Sequence, residues 1–393
     1  CRWFYSQIRG AKALLAGQAG DLEGFRIHSA DEFTIQLEEP VSFFPVLLSF
    51  PGSAIVPEGC DQFTGSWKEG TVGTGPFRVL KFDPGRRLEL ERNKTYWRKG
   101  YPRIDGLVFS FGVSPAEILT GFRAGRFSLA SDLFPEDVEA LRREPTFASG
   151  YRDTPRLITY YVAFNTHSGP LSDKRLRQGL VGSMDVPALV RRTLGRLAVP
   201  AHGLIPPGLL GHDPASGTQA AATTPEPPTE PSAEIELTAA LNPVYFGEYA
   251  ALIRELSNAF SIQSVKVRPL NRTMAEFTEA RTGGTADLVV TRWIADYPDA
   301  DTFVHLLHSQ EGYIGRFCGT PEIDHLIEKG RGETSPALRH LLYREIEEII
   351  VRDALLLPLF HEQTYRFARP EVEGLAVSYG APAVDYPSLR VRR

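Results

Sequence analysis

The densest group of side chains able to bind a ligand lies at residues 291–301, TRWIADYPDAD. This segment follows the apolar run ADLVVT, which predicts a buried strand, and ligands of open α/β sheets bind beyond the carboxyl ends of strands. Trp293 and Tyr297 would offer apolar walls with a polar tip, and the Asp296 carboxylate could pair with a ligand cation. A loop of capping aspartates with a turn at Pro298 is the alternative interpretation.

Other side chains with chemical potential do not form a recognisable catalytic or metal site. His305 and His308 are three residues apart and share a helix face, but no further ligands follow at a comparable spacing. The sequence lacks the G-x-S-x-G, H-E-x-x-H and G-x-x-x-x-G-K-[ST] motifs. We therefore predict no catalytic residues, no metal ligands and no cofactor, and a protein that is not an enzyme.

Composition limits the class of protein. At 393 residues the chain exceeds one ordinary hydrophobic core, so two or more domains are expected. The formal net charge is −5, and no basic stripe marks a nucleic-acid surface. No run of apolar residues reaches the length needed to cross a bilayer.

Local patterns in the first half predict strands and turns around one helix start. Residues 2–18 predict a helix, and DEFTIQLEEP alternates as a half-buried strand does. Two strands, 77–82 and 86–92, flank an Asp-Pro-Gly turn in which Pro presets φ and Gly supplies a positive φ. Ser114, followed by Glu117 at the capping-box spacing, predicts the start of a helix.

The second half alternates strands and helices, which indicates a mixed or parallel sheet with crossover helices. A Pro/Thr-rich stretch at 212–232 predicts a flexible linker. The predicted strands are 156–165, 234–241, 264–270, 286–291 and 355–361, and the predicted helices are 173–194, 245–260, 272–281, 321–330 and 335–352.

Three cysteines, Cys1, Cys60 and Cys318, are far apart and show no metal spacing. Their scarcity suits an exported protein that does not depend on disulfides. A Cys60–Cys318 bridge and a lipid-modified Cys1 are alternatives that these residues leave open.

The stretch GTGPFRVLKFDPGRRLELERNKTYW resembles the signature of the family 5 solute-binding proteins, which serve peptide and nickel ABC transporters. The resemblance continues in consistent order through YYVAFNT, PLSDKRLRQGL, AVPAHGLIPPGLLGHDP, ADLVVTRWIADYPDADTF and ALLLPLFHEQTYRFARPEVEGL. The chain departs from the family in its Pro/Thr-rich linker and in FCGTPEID, and it is expected to lack the family's N-terminal portion.

The resemblance implies an α/β, two-lobed periplasmic-binding-protein fold (type II, cluster C) with mixed sheets, a hinge of two crossing strands and a small extra domain. It places 1–65 in the extra domain, 66–166 and 357–393 in lobe I, and 167–356 in lobe II. The segments YYVAFN and LPLFHEQ would be the two crossings. Such a hinge closes the lobes on a ligand. Because Cys1 falls inside the extra domain, the resemblance argues against a lipid anchor there.

The resemblance also implies roles for individual residues. Asp296 occupies the place of an aspartate that holds the α-amino group of a bound peptide. Trp293 and Tyr297 would line the same cleft, and Arg292 could pair with a ligand carboxylate. Tyr161 and Asn165 lie at the first crossing and are further binding candidates.

The implied function is that of a binding protein that captures a peptide or peptide-like small solute and delivers it to an ABC permease in the membrane. We expect a monomer without nucleic acid, in the periplasm or at the extracytoplasmic surface of a bacterium. The alternative is a ligand-sensing module of a larger signalling or transcription-regulatory protein.

Overall fold

The helices and strands that position the candidate site come from a computed structural model, which describes residues 5–55, 73–214, 234–247, 249–261, 264–380 and 382–392. Residues 215–232 of the predicted linker lie outside the described residues. Cys1 and Cys60 lie outside them too.

The regular elements are numbered in chain order. The strands are β1 (Phe25–Ile27), β2 (Phe33–Ile35), β3 (Phe77–Asp83), β4 (Arg87–Arg92), β5 (Gly106–Ser110), β6 (Leu129–Ala130), β7 (Tyr151–Phe164), β8 (Ala198–Pro200), β9 (Ile235–Leu241), β10 (Val265–Pro269), β11 (Leu288–Ile294), β12 (Leu356–Ala368), β13 (Val372–Glu373) and β14 (Arg390–Val391). The helices are α1 (Ala11–Leu15), α2 (Phe44–Leu47), α3 (Pro115–Arg123), α4 (Pro135–Arg143), α5 (Pro145–Ala148), α6 (Lys174–Gly182), α7 (Val186–Thr193), α8 (Ala250–Ser261), α9 (Met274–Thr282), α10 (Asp301–Val304), α11 (Gly315–Cys318), α12 (Pro321–Gly332) and α13 (Pro336–Arg352).

The largest sheet has the strand order β10-β9-β11-β7-β12-β6, with β8 beside β12. Strands β10 and β11 both run parallel to β9, and the helices α8 and α9 make the crossovers between them. Strand β7 is antiparallel to β11, so the sheet is mixed. This confirms the prediction of a mixed α/β sheet with crossover helices.

The chain divides into two compact units. The first unit contains Cys1–Ala54, Leu157–Thr193 and Val199–Glu362, and the second contains Ile55–Arg156, Leu194–Ala198 and Gln363–Arg393. Strands β7 and β12 each begin in one unit and continue into the other. The predicted division into an extra domain and two lobes stays a prediction.

The core of the first unit forms where the sheet meets α12 and α13. Helix α13 buries Leu342, Ile346, Ile349 and Ile350, which recur every three to four residues and so lie on one face of the helix. Tyr161 of β7 and Val289 of β11 are fully buried in the same cluster. This core supports the carboxyl end of β11, where the predicted site begins.

The second unit contains an antiparallel sheet of β3, β4 and β5. The β3–β4 hairpin turns at Gly85, whose φ of +74° is readily adopted by glycine, and this confirms the predicted Asp-Pro-Gly turn. Helix α3 begins at Ser114, and the Ser114 and Glu117 side chains form the predicted capping box. The signature motif therefore folds as local sequence rules require.

Two predicted helices differ from the structure. In place of a helix over residues 2–18, the described part of this stretch contains one α-helix, Ala11–Leu15, because Gly10 and Gly17 beside its ends adopt φ of +76° and +72°. The predicted helix 173–194 is broken into α6 and α7. Asp185 starts the second piece, since its Oδ1 accepts a hydrogen bond of 2.9 Å from the Ala188 N–H.

Candidate functional site

Strand β11 is longer than its apolar run predicts, and this changes where the candidate residues lie. The strand continues to Ile294, because its antiparallel register with β7 continues to the pair Ile294 and Ile158. Arg292 and Trp293 therefore lie within the strand and project to opposite faces of the sheet. Asp296 lies two residues beyond the strand end.

The Asp296 carboxylate is half-buried. Within the described residues it forms no hydrogen bond and no ion pair. Burial raises the pKa of Asp296 above its ordinary value, because the ionised form loses part of its hydration. A cationic group on a ligand would supply the missing compensation.

The loop that carries Asp296 is fixed at Asp301. The Asp301 carboxylate has no exposed surface and accepts two hydrogen bonds from Arg331, from Nε at 2.8 Å and from Nη2 at 3.0 Å. The Tyr297 hydroxyl donates a third, of 2.8 Å, to Asp301 Oδ2. These bonds connect the residue after Asp296 to helix α12.

A second ion pair fixes the middle of the loop. Arg339 of α13 donates to both carboxylate oxygens of Asp299, at 2.7 and 3.1 Å. The same guanidinium donates to Gly330 O at 3.1 Å and to the Tyr343 hydroxyl at 2.7 Å. Asp299 also accepts a hydrogen bond of 2.9 Å from the Asp301 N–H. Asp299 therefore both caps a backbone N–H group and forms an ion pair with Arg339.

Tyr297 is an anchor of the loop in this structure. Its side chain is only 2% exposed, and its ring stacks on Phe43 with centroids 5.2 Å apart and planes at 8°. The backbone of Ser42 donates to Arg331 O at 3.0 Å, so the segment before α2 contacts the same site. A role of Tyr297 in lining a ligand cleft stays a prediction.

Arg292 belongs to an aromatic cluster on one face of the sheet. Its Nη1 donates to the Tyr160 hydroxyl at 2.7 Å. The Tyr160 oxygen lies 3.2 Å from Tyr249 Oη and 3.2 Å from Glu362 Oε2, and its ring stacks on Phe360 at 4.1 Å. Burial raises the pKa of Tyr160, so it remains a neutral phenol that accepts from Arg292.

Trp293 and Tyr161 lie on the opposite face. Trp293 is partly buried, donates from Nε1 to Thr302 Oγ1 at 3.1 Å, and packs on Tyr313 at 5.3 Å. The Tyr161 side chain is fully buried, and its hydroxyl has no hydrogen-bond partner among the described residues. Burial raises the pKa of this phenol well above its ordinary value.

Asn165 stabilises the chain where it leaves β7. Its Nδ2 donates to Ala286 O at 3.3 Å, and its Oδ1 accepts from the N–H groups of His167 and Ser168 at 3.2 Å each. The side chain is buried, and these bonds use both ends of the amide. A role of Asn165 in ligand binding stays a prediction.

Sequence reasoning missed the residues that hold the loop in place. Arg331, Arg339 and Phe43 lie far from residues 291–301 in the chain, and no local pattern connects them to that segment. Tyr160 had a signal, because it stands beside Tyr161 in a strand and must occupy the opposite face. Its register partner across β11 is Arg292.

Histidines and cysteines add no metal centre in the described part of the chain. The rings of His305 and His308 lie 5.4 Å apart, and no group of three His, Cys, Asp or Glu residues described here could hold a metal ion. Cys318 is a buried thiol, and burial raises its pKa to about 12. The alternative of a Cys60–Cys318 bridge involves Cys60, which lies outside the described residues.

The fold is shared with solved structures of other proteins. The structure of the Escherichia coli murein tripeptide binding protein MppA matches with a TM-score of 0.74, at 21% identity, over 99% of this chain and 79% of that one. The fold is thus the two-lobed fold of periplasmic binding proteins. Among the described helices, none is both long enough and apolar enough to cross a membrane.

The family follows from the sequence. The family described as bacterial extracellular solute-binding proteins, family 5 Middle, matches residues 5–314, and the chain belongs to this family. Di/tripeptide-binding protein 2 of Pseudomonas aeruginosa (strain UCBPP-PA14) is 27% identical over 90% of this chain and 69% of its own length. The periplasmic oligopeptide-binding protein OppA of Escherichia coli (strain K12) is 25% identical over 94% of this chain and 70% of its own length.

Proposed function

We propose that this protein is an extracytoplasmic receptor that captures a peptide-like solute with a free amino end and delivers it to an ABC permease. It binds its ligand without transforming it. Membership of the solute-binding family supports this proposal, and the similar proteins named above are binding proteins for di- and tripeptides, oligopeptides and a murein tripeptide. No comparison supports the alternative of a ligand-sensing module.

One observation carries the choice of ligand class. Asp296 presents a half-buried carboxylate that lacks a hydrogen bond or ion pair within the described residues, at the end of a buried strand. An ammonium group that approaches this carboxylate gains a charge-assisted hydrogen bond in a partly desolvated place. The α-amino group of a peptide has this chemistry.

The loop geometry supports the same proposal. The ion pairs Asp301–Arg331 and Asp299–Arg339 fix the backbone on the carboxyl side of Asp296 before any ligand arrives. A binding group that is already ordered costs less conformational entropy on association. Arg292, partly exposed on β11, is the cation that we propose for a ligand carboxylate.

Calorimetric titration with two matched ligands tests the proposal. Trialanine and N-acetyl-trialanine differ in the charge at the amino end. We expect the parent protein to bind trialanine and to bind the acetylated form far more weakly, because acetylation removes the positive charge. Equal binding of the two ligands would contradict the assignment of an amino-end contact.

A variant series then assigns this contact to one residue. Asp296→Asn keeps the side-chain shape and removes the charge, and it should weaken trialanine binding by about 2 to 5 kcal/mol if the pair is desolvated. Glu32→Gln, at an exposed position in the same unit, removes one negative charge as a control. If Asp296→Asn binds trialanine as the control does, Asp296 is not the contact.

A further inference from the structure

An open cavity of about 830 Å³ in the second unit is lined, among the residues that the structure describes, by five cationic side chains and by no acidic one. The cations are Arg92, Lys94, Lys99, Arg103 and Arg390. They come from the end of β4, from the loop that follows it and from β14. The chain as a whole carries a net charge of −5, so the charge of this wall is opposite in sign to that of the protein.

Three of these cations have no carboxylate partner among the described residues. Lys94, Lys99 and Arg390 form no hydrogen bond or ion pair through their side chains within the described ranges. Arg92 differs, because its Nη2 lies 3.0 Å from Asp105 Oδ1. Some exposed arginines elsewhere do have carboxylate partners, as in the pairs Arg9–Glu23, Arg192–Glu255 and Arg268–Glu236.

Hydrogen bonds of neighbouring groups hold the cavity wall in place. Within the described residues, these bonds do not involve the side chains of Lys94, Lys99 and Arg390. Buried Asn93 donates from Nδ2 to Gly75 O at 2.9 Å and accepts from the N–H and hydroxyl of Thr95 at 3.1 and 2.9 Å. The Arg103 N–H donates to Pro387 O at 3.0 Å, which ties the loop to the segment before β14. The cations therefore share one ordered wall.

We propose that this cavity binds a phosphate-class anion with more than one negative charge. Like charges on a concave wall repel one another and concentrate anions, so a polyanion relieves the repulsion as it binds. The volume of the cavity lies in the range of small-molecule sites. The anion is either a free oligophosphate or the phosphate-bearing headgroups of a lipid surface, since both present the same chemistry. This site is in the unit that does not contain Asp296, and it is independent of the peptide proposal.

Two probes distinguish the two sources. Inorganic tripolyphosphate, titrated by calorimetry at low salt, represents the free anion. Sedimentation with vesicles of phosphatidylglycerol and phosphatidylcholine, against vesicles of phosphatidylcholine alone, represents the headgroup surface. In both assays binding should weaken as salt rises, because salt screens exposed charges.

Matched triple variants test the assignment of the cavity. The cavity variant is Lys94→Gln, Lys99→Gln and Arg390→Gln. The control variant is Lys12→Gln, Lys81→Gln and Lys266→Gln, which removes as many positive charges at exposed positions outside the cavity. The cavity variant should lose about tenfold or more in tripolyphosphate affinity, or about a hundredfold in partition to anionic vesicles. The control variant should match the parent protein more closely.

The proposal is supported if the cavity variant loses binding and the control variant does not. The probe whose binding is lost, tripolyphosphate or the anionic vesicles, identifies the source of the anion. The proposal is overturned if the parent protein binds neither probe at low salt, or if the two triple variants lose the same affinity. Far-ultraviolet circular dichroism of the same samples should match that of the parent protein and confirms that the cavity variant is folded.

Discussion

Arg331 and Asp301 form a bidentate ion pair, with distances of 2.8 and 3.0 Å, around a carboxylate that has no exposed surface. The guanidinium is also largely buried, since the side chain of Arg331 is 17% exposed. Tyr297 completes the group through its hydroxyl. This relationship determines where the loop between β11 and α10 lies, and hence where Asp296 lies.

The first prediction concerns this pair. Arg331→Met should destabilise the protein by about 3 to 5 kcal/mol, because it leaves a buried carboxylate without its partner. Urea unfolding, followed by circular dichroism, measures the loss. Arg316→Met is the control, at an exposed arginine whose one hydrogen bond within the described residues goes to a backbone carbonyl. A loss no larger than that of the control would show that Asp301 finds other compensation.

The same pair predicts a pH dependence. Burial by itself would raise the pKa of Asp301, but the Arg331 guanidinium outweighs it and holds this pKa below its ordinary value. The folded pKa is therefore below the unfolded one. The stabilisation is present above the unfolded pKa and is lost as pH falls through the folded pKa. Unfolding midpoints in urea between pH 2 and 5 should fall more steeply for the parent than for Asp301→Asn.

Asp296→Asn should have opposite effects on stability and on peptide binding. Because burial raises the pKa of Asp296, its ionised form is less stable in the folded protein than in the unfolded chain. Removing the charge should raise the melting temperature of the ligand-free protein at pH 7 by about 1 to 2 °C. Differential scanning calorimetry measures this change. A melting temperature below that of the parent would mean that the carboxylate has a stabilising partner.

Glu347 predicts a further pH dependence, at higher pH. Burial raises its pKa to about 7, although the carboxylate accepts hydrogen bonds from the N–H groups of Leu204 and Ile205 at 2.9 and 2.7 Å. The folded pKa is above the unfolded one, so Glu347 stabilises the fold less as pH rises from about 4.5 to about 7. Glu347→Gln should flatten this part of the stability profile, measured by urea unfolding from pH 4.5 to 8. An unchanged slope would assign it to another group.

Gly203 should be essential for the same contact. A Cβ at this position would lie 2.2 Å from Glu347 Oε2, too close for any side chain to be accommodated without movement. We expect Gly203→Ala to cost about 1 to 3 kcal/mol of stability, as overpacking does. Gly332→Ala, where a Cβ meets nothing within 4 Å, is the matched control. If Glu347→Ala does not relieve the cost in the double variant, the collision is not its cause.

Much of the fold could be predicted from local patterns. The β3–β4 hairpin, the capping box at Ser114 and the alternation from β9 to β11 each depend on residues that are close in the chain. The errors have local causes too, such as the positive φ of Gly10 and Gly17. The end of β11 was misplaced because its last residues are held by the register with β7, which apolar content does not reveal.

The sequence by itself determined the family, the mixed α/β character and the position of Asp296 beyond a buried strand, because motif order and periodicity are properties of neighbouring residues. Only the tertiary structure decided which aspartates of that loop are neutralised. Asp301 and Asp299 pair with arginines 30 and 40 residues away, whereas Asp296 has no such partner in the described part of the chain. The tertiary structure also places Arg390 beside Lys94 and Lys99 in one cavity. Packing sets these distances, since an ion pair depends on separation in space rather than along the chain.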